Sequence, residues 1–365
     1  MSTAQIKSEN QSKIVVAMSG GVDSSTVAAM LSQESNDIIG ITLQLYDHGA
    51  VINKKGACCA GQDIYDASMV AAKLNIPHYV LDYESRFKQS VIDDFVDSYL
   101  KGETPLPCVK CNQSVKFNDL INFAKDLGAK KLVTGHYVQK IYTDQGAEMH
   151  KGLDPKKDQS YFLFATTKEQ LEFLDFPLGK FSKEETRQYA RKFGLINSDK
   201  ADSQDICFVP NGSYADLIKK LRPDSIKTGA IMHVDGYVLG EHDGIINYTI
   251  GQRKGLGVSF SEALYVIKLD PENNIVYVGP ESALEVSTFK IKNINWLDHN
   301  PPVDGLEVTV KIRSTHSGAA ARIYPIDNDS IFVKLLGLER AISPGQACVI
   351  YKDTRVLGGG WITKE

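Results

Sequence analysis

The stretch Lys13-Ile14-Val15-Val16-Ala17-Met18-Ser19-Gly20-Gly21-Val22-Asp23-Ser24-Ser25 opens as a short apolar run and breaks at two adjacent glycines. Val27, Ala28 and Leu31 then continue with helical spacing, so the segment reads as a buried-type strand, a tight loop and a helix. The glycines let the backbone turn sharply with its N–H groups pointing inward. The helix N-terminus adds its dipole, and Ser19, Ser24 and Ser25 add hydroxyl donors; together these make an anion cradle. The loop has neither the Gly-x-Gly-x-x-Gly nor the Gly-x4-Gly-Lys-Ser/Thr spacing. A bare Gly-Gly pair is also what an ordinary strand-to-helix turn contains.

Outward from this loop, apolar runs and helical patterns alternate. A second strand-like run covers 38–45, helical spacing covers 64–74, and 78–81 is strand-like again. Phe87, Val91, Phe95 and Tyr99, widened by Ile92, Val96 and Leu100, predict an amphipathic helix. Residues 120–127 read as helix, 131–138 as strand and 183–193 as helix. The alternation predicts an α/β domain over 13–210 built on a doubly wound parallel sheet. After Asn211-Gly212 the texture changes to short β-type runs at 230–239, 264–269, 275–278, 308–312, 331–336 and 347–351. Gly, Pro, Asn and Asp separate them. They predict a small, mostly β linker domain over 211–285 and a barrel or sandwich over 286–365.

The chain has 365 residues, 42% hydrophobic and 24% charged, enough for two or three domains and too apolar for wholesale disorder. No run approaches the ~20 apolar residues of a spanning helix, which excludes an integral helical membrane protein. Residues 1–12 are polar and lack an apolar signal core, so they read as a disordered, frayed N-terminus of a cytoplasmic protein. The net charge of −4 argues against nucleic-acid binding by the chain as a whole. Charge is segregated, however: residues 101–140 hold seven Lys and three acids (7 − 3 = +4). That local basic track predicts salt-sensitive binding over a modest number of phosphates.

Six cysteines are too few for a disulfide scaffold. Cys108-Val109-Lys110-Cys111 follows Thr104-Pro105-Leu106-Pro107, which reads as an exposed loop because prolines oppose helix. Cys207 lies in Asp205-Ile206-Cys207-Phe208, Cys58-Cys59 in a polar segment, and Cys348 in a β-type run where it reads as core. Three chemistries compete. Structural zinc on Cys58, Cys59, Cys108 and Cys111 suffers from poor adjacent-ligand spacing. A redox pair lacks placement at a helix start after a strand. Nucleophilic sulfur transfer gains from Lys110 and Lys116, whose charges favour a thiolate. Trp296 and Trp361 read as core aromatics, and Arg253-Lys254 as a loop able to grip phosphate.

The string Ser-Gly-Gly-Val-Asp-Ser resembles the pyrophosphate loop of ATP pyrophosphatases. Further motifs follow in order: Gly102-Glu103-Thr104-Pro105, Cys111-Asn112, Val115-Lys116-Phe117, Thr134-Gly135-His136-Tyr137, Lys157-Asp158-Gln159-Ser160-Tyr161-Phe162-Leu163, Asp205-Ile206-Cys207-Phe208, Tyr248-Thr249-Ile250-Gly251-Gln252 and Ser343-Pro344-Gly345-Gln346. Together they resemble the tRNA-specific 2-thiouridylase family over about residues 13–362.

The resemblance implies an adenine nucleotide alpha hydrolase-like sheet, a central tRNA-binding domain and a C-terminal β-barrel. It implies ATP-dependent thiolation of the wobble uridine (U34), with O2 adenylated and sulfur taken from a persulfide on Cys207. By position it makes Cys111 the nucleophile and pairs it with Cys207 in a disulfide at the end of the cycle. It assigns Ala17, Met18, Ser19, Gly20, Gly21, Val22, Asp23, Ser24, Leu43 and Gly135 to ATP, with Mg²⁺ bound through the nucleotide. Leu106, Pro107, Cys108, Lys157, Asp158, Gln159, Arg313 and Ser314 are assigned to tRNA, and His136 and Gln346 to supporting activity. The implied partners are tRNAs reading Lys, Glu and Gln codons and a sulfur-relay protein, with no membrane. One departure stands out: some members carry Asp where this chain has Cys108, which leaves the acid/base unassigned. The rival readings are another adenylating enzyme (a 4-thiouridine or amidating synthetase) and a non-catalytic tRNA-binding module.

Overall fold

The computed structural model describes residues 12–34, 37–46, 59–202, 206–209 and 213–363. The expected frayed terminus at 1–12 lies almost wholly outside these residues, as do Cys58 and the side chain of Cys59. The chain divides into two compact units, each assembled from separated segments. The first holds Met1–Lys88, Ser114–Ser160 and Lys168–Asp202; the second holds Gln89–Gln113, Tyr161–Thr167 and Ser203–Glu365.

In the first unit, β1 (Lys13–Ala17), β2 (Asp37–Gln44), β3 (His78–Asp82), β4 (Lys131–Val133) and β7 (Leu174–Asp175) form a sheet in the order β3-β2-β1-β4-β7. Each adjacent pair is parallel. Ile14, Val15 and Val16 are buried because β1 is central, with Val15 opposite Ile39 on one side and Leu132 on the other. Helix α1 (Val22–Ser32) lays Val27, Ala28, Ala29 and Leu31 into a core shared with Ala67, Val70 and Ala71 of α2 (Cys59–Leu74) and with Ala190. The small alanines allow close helix packing. Because the order reverses between β1 and β4, their carboxyl ends flank the crevice where such sheets take ligands.

The predicted strand 131–138 is interrupted. β4 ends at Val133, Thr134-Gly135-His136-Tyr137 is irregular, and β5 (Val138–Thr143) turns back into β6 (Gly146–Lys151) as an antiparallel hairpin. The amphipathic helix also has a break: helical Glu84–Phe87 and Asp93–Leu100 flank a π-helical turn, Lys88–Ile92.

In the second unit, β8 (Gly229–His233), β9 (Val238–His242), β10 (Tyr265–Asp270) and β11 (Ile275–Gly279) form a sheet in the order β10-β11-β8-β9. The predicted run 230–239 is thus a hairpin, turning at Gly236 with φ +96°. β12 (Glu285–Trp296), β13 (Leu306–Lys311), β14 (Ala319–Pro325), β15 (Ser330–Arg340), β16 (Ala347–Lys352) and β17 (Arg355–Ile362) follow in the order β12-β15-β14-β13-β16-β17. β12 also pairs with β17, Ile291 opposite Ile362, so the six strands close into a barrel. Ile291, Val310, Ile323, Val333, Cys348 and Ile350 fill it. Closure settles barrel against sandwich, and burial pushes the Cys348 thiol up and out of reactivity. Among the described residues no helix is long and apolar enough to cross a membrane.

Candidate functional site

The loop after β1 is held open from within. Gly20 has φ +75°, and a side chain there would run into the Asp63 carbonyl of α2. The Ser24 hydroxyl donates to the Gly21 carbonyl at 3.3 Å, accepts the Ser19 N–H at 3.1 Å and lies 3.3 Å from the Ser19 hydroxyl. Gly21 is the N-cap of α1, with extended backbone and no side-chain cap. The helix therefore offers its first N–H groups to an external acceptor. Ala17 and Met18 lead into the loop, Met18 donating its N–H to the Ile41 carbonyl. Leu43 sits near the carboxyl end of β2, opposite Leu81. Gly135 packs on the start of α1, where a Cβ would come within 2.8 Å of the Ser24 nitrogen. The loop, Val22, Asp23 and Gly135 are thus brought together at the switch point, where sheets of this kind take ligands.

Segment 183–202 holds the loop from behind, and nothing in the sequence near residue 20 signals it. Asn197 donates to the Gly20 carbonyl at 2.9 Å and to the Ser25 hydroxyl at 2.8 Å. Lys200 donates to the same carbonyl at 3.2 Å and is paired with Asp63 and Asp66. Lys183 donates to both Asp23 carboxylate oxygens, at 2.7 and 2.9 Å. The Tyr137 hydroxyl donates to Asp23 as well, at 2.7 Å.

The residues assigned to one tRNA-contacting strip have partners inside this unit. Lys157 is paired with Asp202 at 2.7 Å. Asp158 accepts from the Gly152 and Ser160 N–H groups and from the Ser160 hydroxyl. Gln159 accepts the Tyr137 N–H at 2.8 Å, tying this loop to the Thr-Gly-His-Tyr segment.

His136 is wedged edge-on between Phe117 and Phe176, with Nδ1 2.8 Å from the Thr134 hydroxyl. Burial, aided by the Lys116 charge, pushes the imidazole down to about 3. The ring is held neutral across the physiological range, with Thr134 as its hydrogen-bond partner. Between the ordinary value of 6.5 and about 3, the unfolded chain binds a proton here and the folded chain does not. Stability is therefore complete above pH 6.5 and falls as the pH drops toward 3. The melting temperature of His136→Asn is expected to decline less steeply than that of the parent chain between pH 6.5 and 4, checked by thermal melts across that range.

The exposed loop expected at 104–107 is found only in part: 104–106 are irregular, but Pro105 and Pro107 are buried. Pro107 occupies the first turn of a short helix, Pro107–Lys110, where a missing N–H costs nothing. A π-helix, Cys111–Asp119, continues from it. Cys108-x-x-Cys111 does stand at a helix start after all, although no strand precedes it. Cys108 is exposed and Cys111 is buried, 7% accessible. π-helical segments are rare and gather at functional sites, a signal that no periodicity reveals. Asn112 donates from Nδ2 to the Phe162 carbonyl at 3.2 Å, and its buried Oδ1 has no partner among the described residues. Lys110 shares its charge with Asp94 at 3.7 Å and with the Trp361 ring at 5.4 Å. Trp361 in turn packs edge-on against Phe164.

Gln346 reaches this segment from the barrel. Its Nε2 donates to the Thr104 carbonyl at 3.0 Å, while the Thr104 N–H donates to the Pro344 carbonyl at 2.8 Å. The path through Leu106 and Pro107 to Cys111 is thereby anchored on the turn before β16. Arg313 donates to the Arg340 carbonyl at 3.2 Å, and Ser314 beside it is half-buried. Cys207 is exposed, while its neighbour Phe208 is buried against Phe95 at 5.2 Å between ring centres. Among the described residues no three His, Cys, Asp or Glu side chains gather as a metal centre requires.

Three domain families match in succession: the tRNA methyl transferase HUP domain over residues 12–211, the tRNA methyl transferase PRC-barrel domain over 215–280, and the aminomethyltransferase beta-barrel domain over 286–362. The chain is 66% identical over 358 residues, 98% of each chain, to a tRNA-specific 2-thiouridylase MnmA of Rickettsia felis. It is 67% identical over 356 residues to that of Rickettsia rickettsii (97% of this chain, 98% of the relative) and 66% identical over 359 residues to that of Rickettsia bellii (98% of each). A solved 4-thiouridine synthetase–RNA complex with bound ATP matches at TM-score 0.37 and 18% identity, over 59% of this chain and 51% of that one. At that identity over nearly the whole length of both chains, the chain belongs to the tRNA-specific 2-thiouridylase family.

Proposed function

We propose that this chain thiolates the wobble uridine (U34) of tRNA at C2, using ATP. The observation that carries the reading is the uncapped N-terminus of α1 behind the Ser19–Ser24 loop, with Gly135 packed on it. Such a loop donates N–H groups to pyrophosphate, and pyrophosphate is what adenylation of a carbonyl oxygen releases. Oxygen is a poor leaving group at C2 of uracil; adenylation of O2 makes it leave as AMP.

Cys207 is surface-exposed, as a thiol loaded by a donor protein must be, and carries the terminal persulfide sulfur. Cys111 attacks the Cys207 Sγ, forming a Cys111–Cys207 disulfide and freeing hydrosulfide, which displaces AMP. In the second route the persulfide displaces AMP first, and Cys111 then attacks Cys207 to release the thiolated base. Both routes end in the same disulfide and require an external dithiol reductant. Asp23 would hold a Mg²⁺ accompanying the nucleotide, and the chemistry that ion would supply is neutralisation of phosphate charge. His136 and Gln346 serve as a neutral hydrogen-bonding group and as an anchor of the nucleophile's segment. The target base is splayed from the anticodon loop, which single-stranded RNA allows at modest cost. Leu106–Cys108, Lys157–Gln159, Arg313 and Ser314 supply the RNA surface, on tRNAs reading Lys, Glu and Gln codons. The activity belongs in the cytoplasm, beside a sulfur-relay protein. A division into 13–210, 211–285 and 286–365 belongs to this reading, supported by family matches over 12–211, 215–280 and 286–362.

Incubated with ATP, Mg²⁺, a sulfide source and anticodon stem-loop RNA, the chain is expected to yield a base with sulfur in place of one oxygen, read by mass spectrometry. Pyrophosphate release without a thiolated base would favour an amidating synthetase. RNA binding without pyrophosphate release would leave only a binding module.

A further inference from the structure

The strongest unassigned group is the lysine beside the nucleotide loop. Lys183 begins the helix Lys183–Lys192, whose start is fixed by a Ser182/Glu185 capping box. Its backbone N–H donates to Asp154 at 3.2 Å, and its side chain is only 12% accessible. The ammonium group bridges two carboxylates, Asp23 of the loop and Asp202, each at 2.7 Å, and lies 5.7 Å from the centre of the Tyr137 ring.

The two anchors differ in what they keep if the lysine moves. Asp202 also holds Lys157 at 2.7 Å and Arg187 at 3.2 Å. Burial by itself would raise the Asp202 carboxyl, but hydrogen bonds from Lys157 and Lys183 outweigh it and hold the group below its ordinary value. It therefore stays compensated without Lys183. Asp23 keeps the Tyr137 hydroxyl and, with nucleotide present, gains the cation that accompanies the phosphates. A cation on a flexible four-carbon stem, one hydrogen bond from the pyrophosphate loop, thus has an acceptor to move to whenever pyrophosphate occupies that loop.

We propose that Lys183 is a pyrophosphate-binding residue: it exchanges the Asp23 carboxylate for the β- and γ-phosphates of ATP and stabilises the leaving pyrophosphate during adenylation. The proposal rests on the ATP-dependent reading above and adds a residue that the motif resemblance does not include. It separates from a purely structural ion pair by ligand. A structural role weakens every nucleotide alike, whereas a phosphate contact spares AMP, which lacks the β- and γ-phosphates.

The test is calorimetric binding of Mg·ATP, Mg·pyrophosphate and AMP to the full chain and to Lys183→Met and Lys183→Arg, with thermal melts alongside. Lys183→Met is expected to weaken ATP and pyrophosphate by about 10–100-fold, as for loss of a charge-assisted hydrogen bond, and AMP by less than about 3-fold. Lys183→Arg is expected to recover most of the loss, because it keeps the charge. Equal weakening of all three ligands, or none, would overturn the assignment even where the parent chain binds ATP normally. Failure of the parent chain to bind ATP or pyrophosphate would remove the nucleotide reading itself, and this proposal with it. Should Lys183→Met melt too early for titration, Lys183→Arg and Lys183→Gln give the same ratio of pyrophosphate to AMP affinity.

Discussion

Replacing Cys111 with alanine is expected to abolish formation of the thiolated base, lowering the rate by about 10³-fold or more, while RNA binding survives. The magnitude follows from removing a covalent participant in the reaction. Cys111 is buried at the start of a π-helix, and alanine there removes only the sulfur atom. Cys207→Ala is expected to fail equally, for a different reason: the sulfur no longer has a carrier on the exposed segment before Phe208. The check is mass spectrometry of the product base together with filter binding of the RNA. Product from either variant at the parent rate would dismiss the two-cysteine chemistry; loss of RNA binding along with product would point to a structural role.

A second large effect is expected at Gly20. Its φ of +75° costs an alanine about 1–3 kcal/mol, and the added Cβ meets the Asp63 carbonyl, so the loop must also move. That movement displaces the carbonyl held by Asn197 and Lys200 and opens the Ser19–Ser24 arrangement. Gly20→Ala is therefore expected to weaken ATP by about 30-fold or more and to lower the melting temperature. Gly128 gives the comparison, since it has nearly the same φ, +74°, and nothing within 4 Å of a Cβ. Gly128→Ala should show the backbone cost alone, with ATP affinity kept. Parallel calorimetry and melts of the two variants separate strain from site geometry; equal ATP affinity in both would contradict the role given to the loop.

The first unit was legible where chemistry is local. Period, glycine pair and flanking serines predicted the β1-loop-α1 unit, and alternating patterns predicted the parallel sheet. What stayed hidden depends on distant partners. Lys183 meets Asp23 across 160 positions, and Asn197 meets Gly20 across 177. In isolation each reads as an ordinary surface polar residue. The break at Gly135 was hidden because Lys131 to Val138 is apolar enough for one strand; the close approach to Ser24 becomes visible only once α1 is in place. At Pro107 a rule was applied too broadly, since proline opposes a helix interior and suits a helix start. The Lys157-Asp158-Gln159 strip could be matched to a motif, but its ion pair and hydrogen bonds within the first unit lay beyond any spacing rule.

The hydrogen bond from Gln346 to the Thr104 carbonyl joins positions 242 residues apart. Its consequence concerns the ribosome. At about 5–20 residues per second, roughly 12–50 s of synthesis separate the emergence of Thr104 from that of Gln346. Throughout that interval the Thr104–Cys111 segment lacks both the Pro344 carbonyl and the Gln346 amide that hold Thr104. All five strands of the parallel sheet are made before the barrel begins at Glu285, so the chain acquires its Ser19–Ser24 loop early and the anchored course of its Cys111 segment last. On the proposed function, a nascent chain stalled before residue 346 would bind nucleotide without sulfur chemistry, and competence would come only as the final strands close.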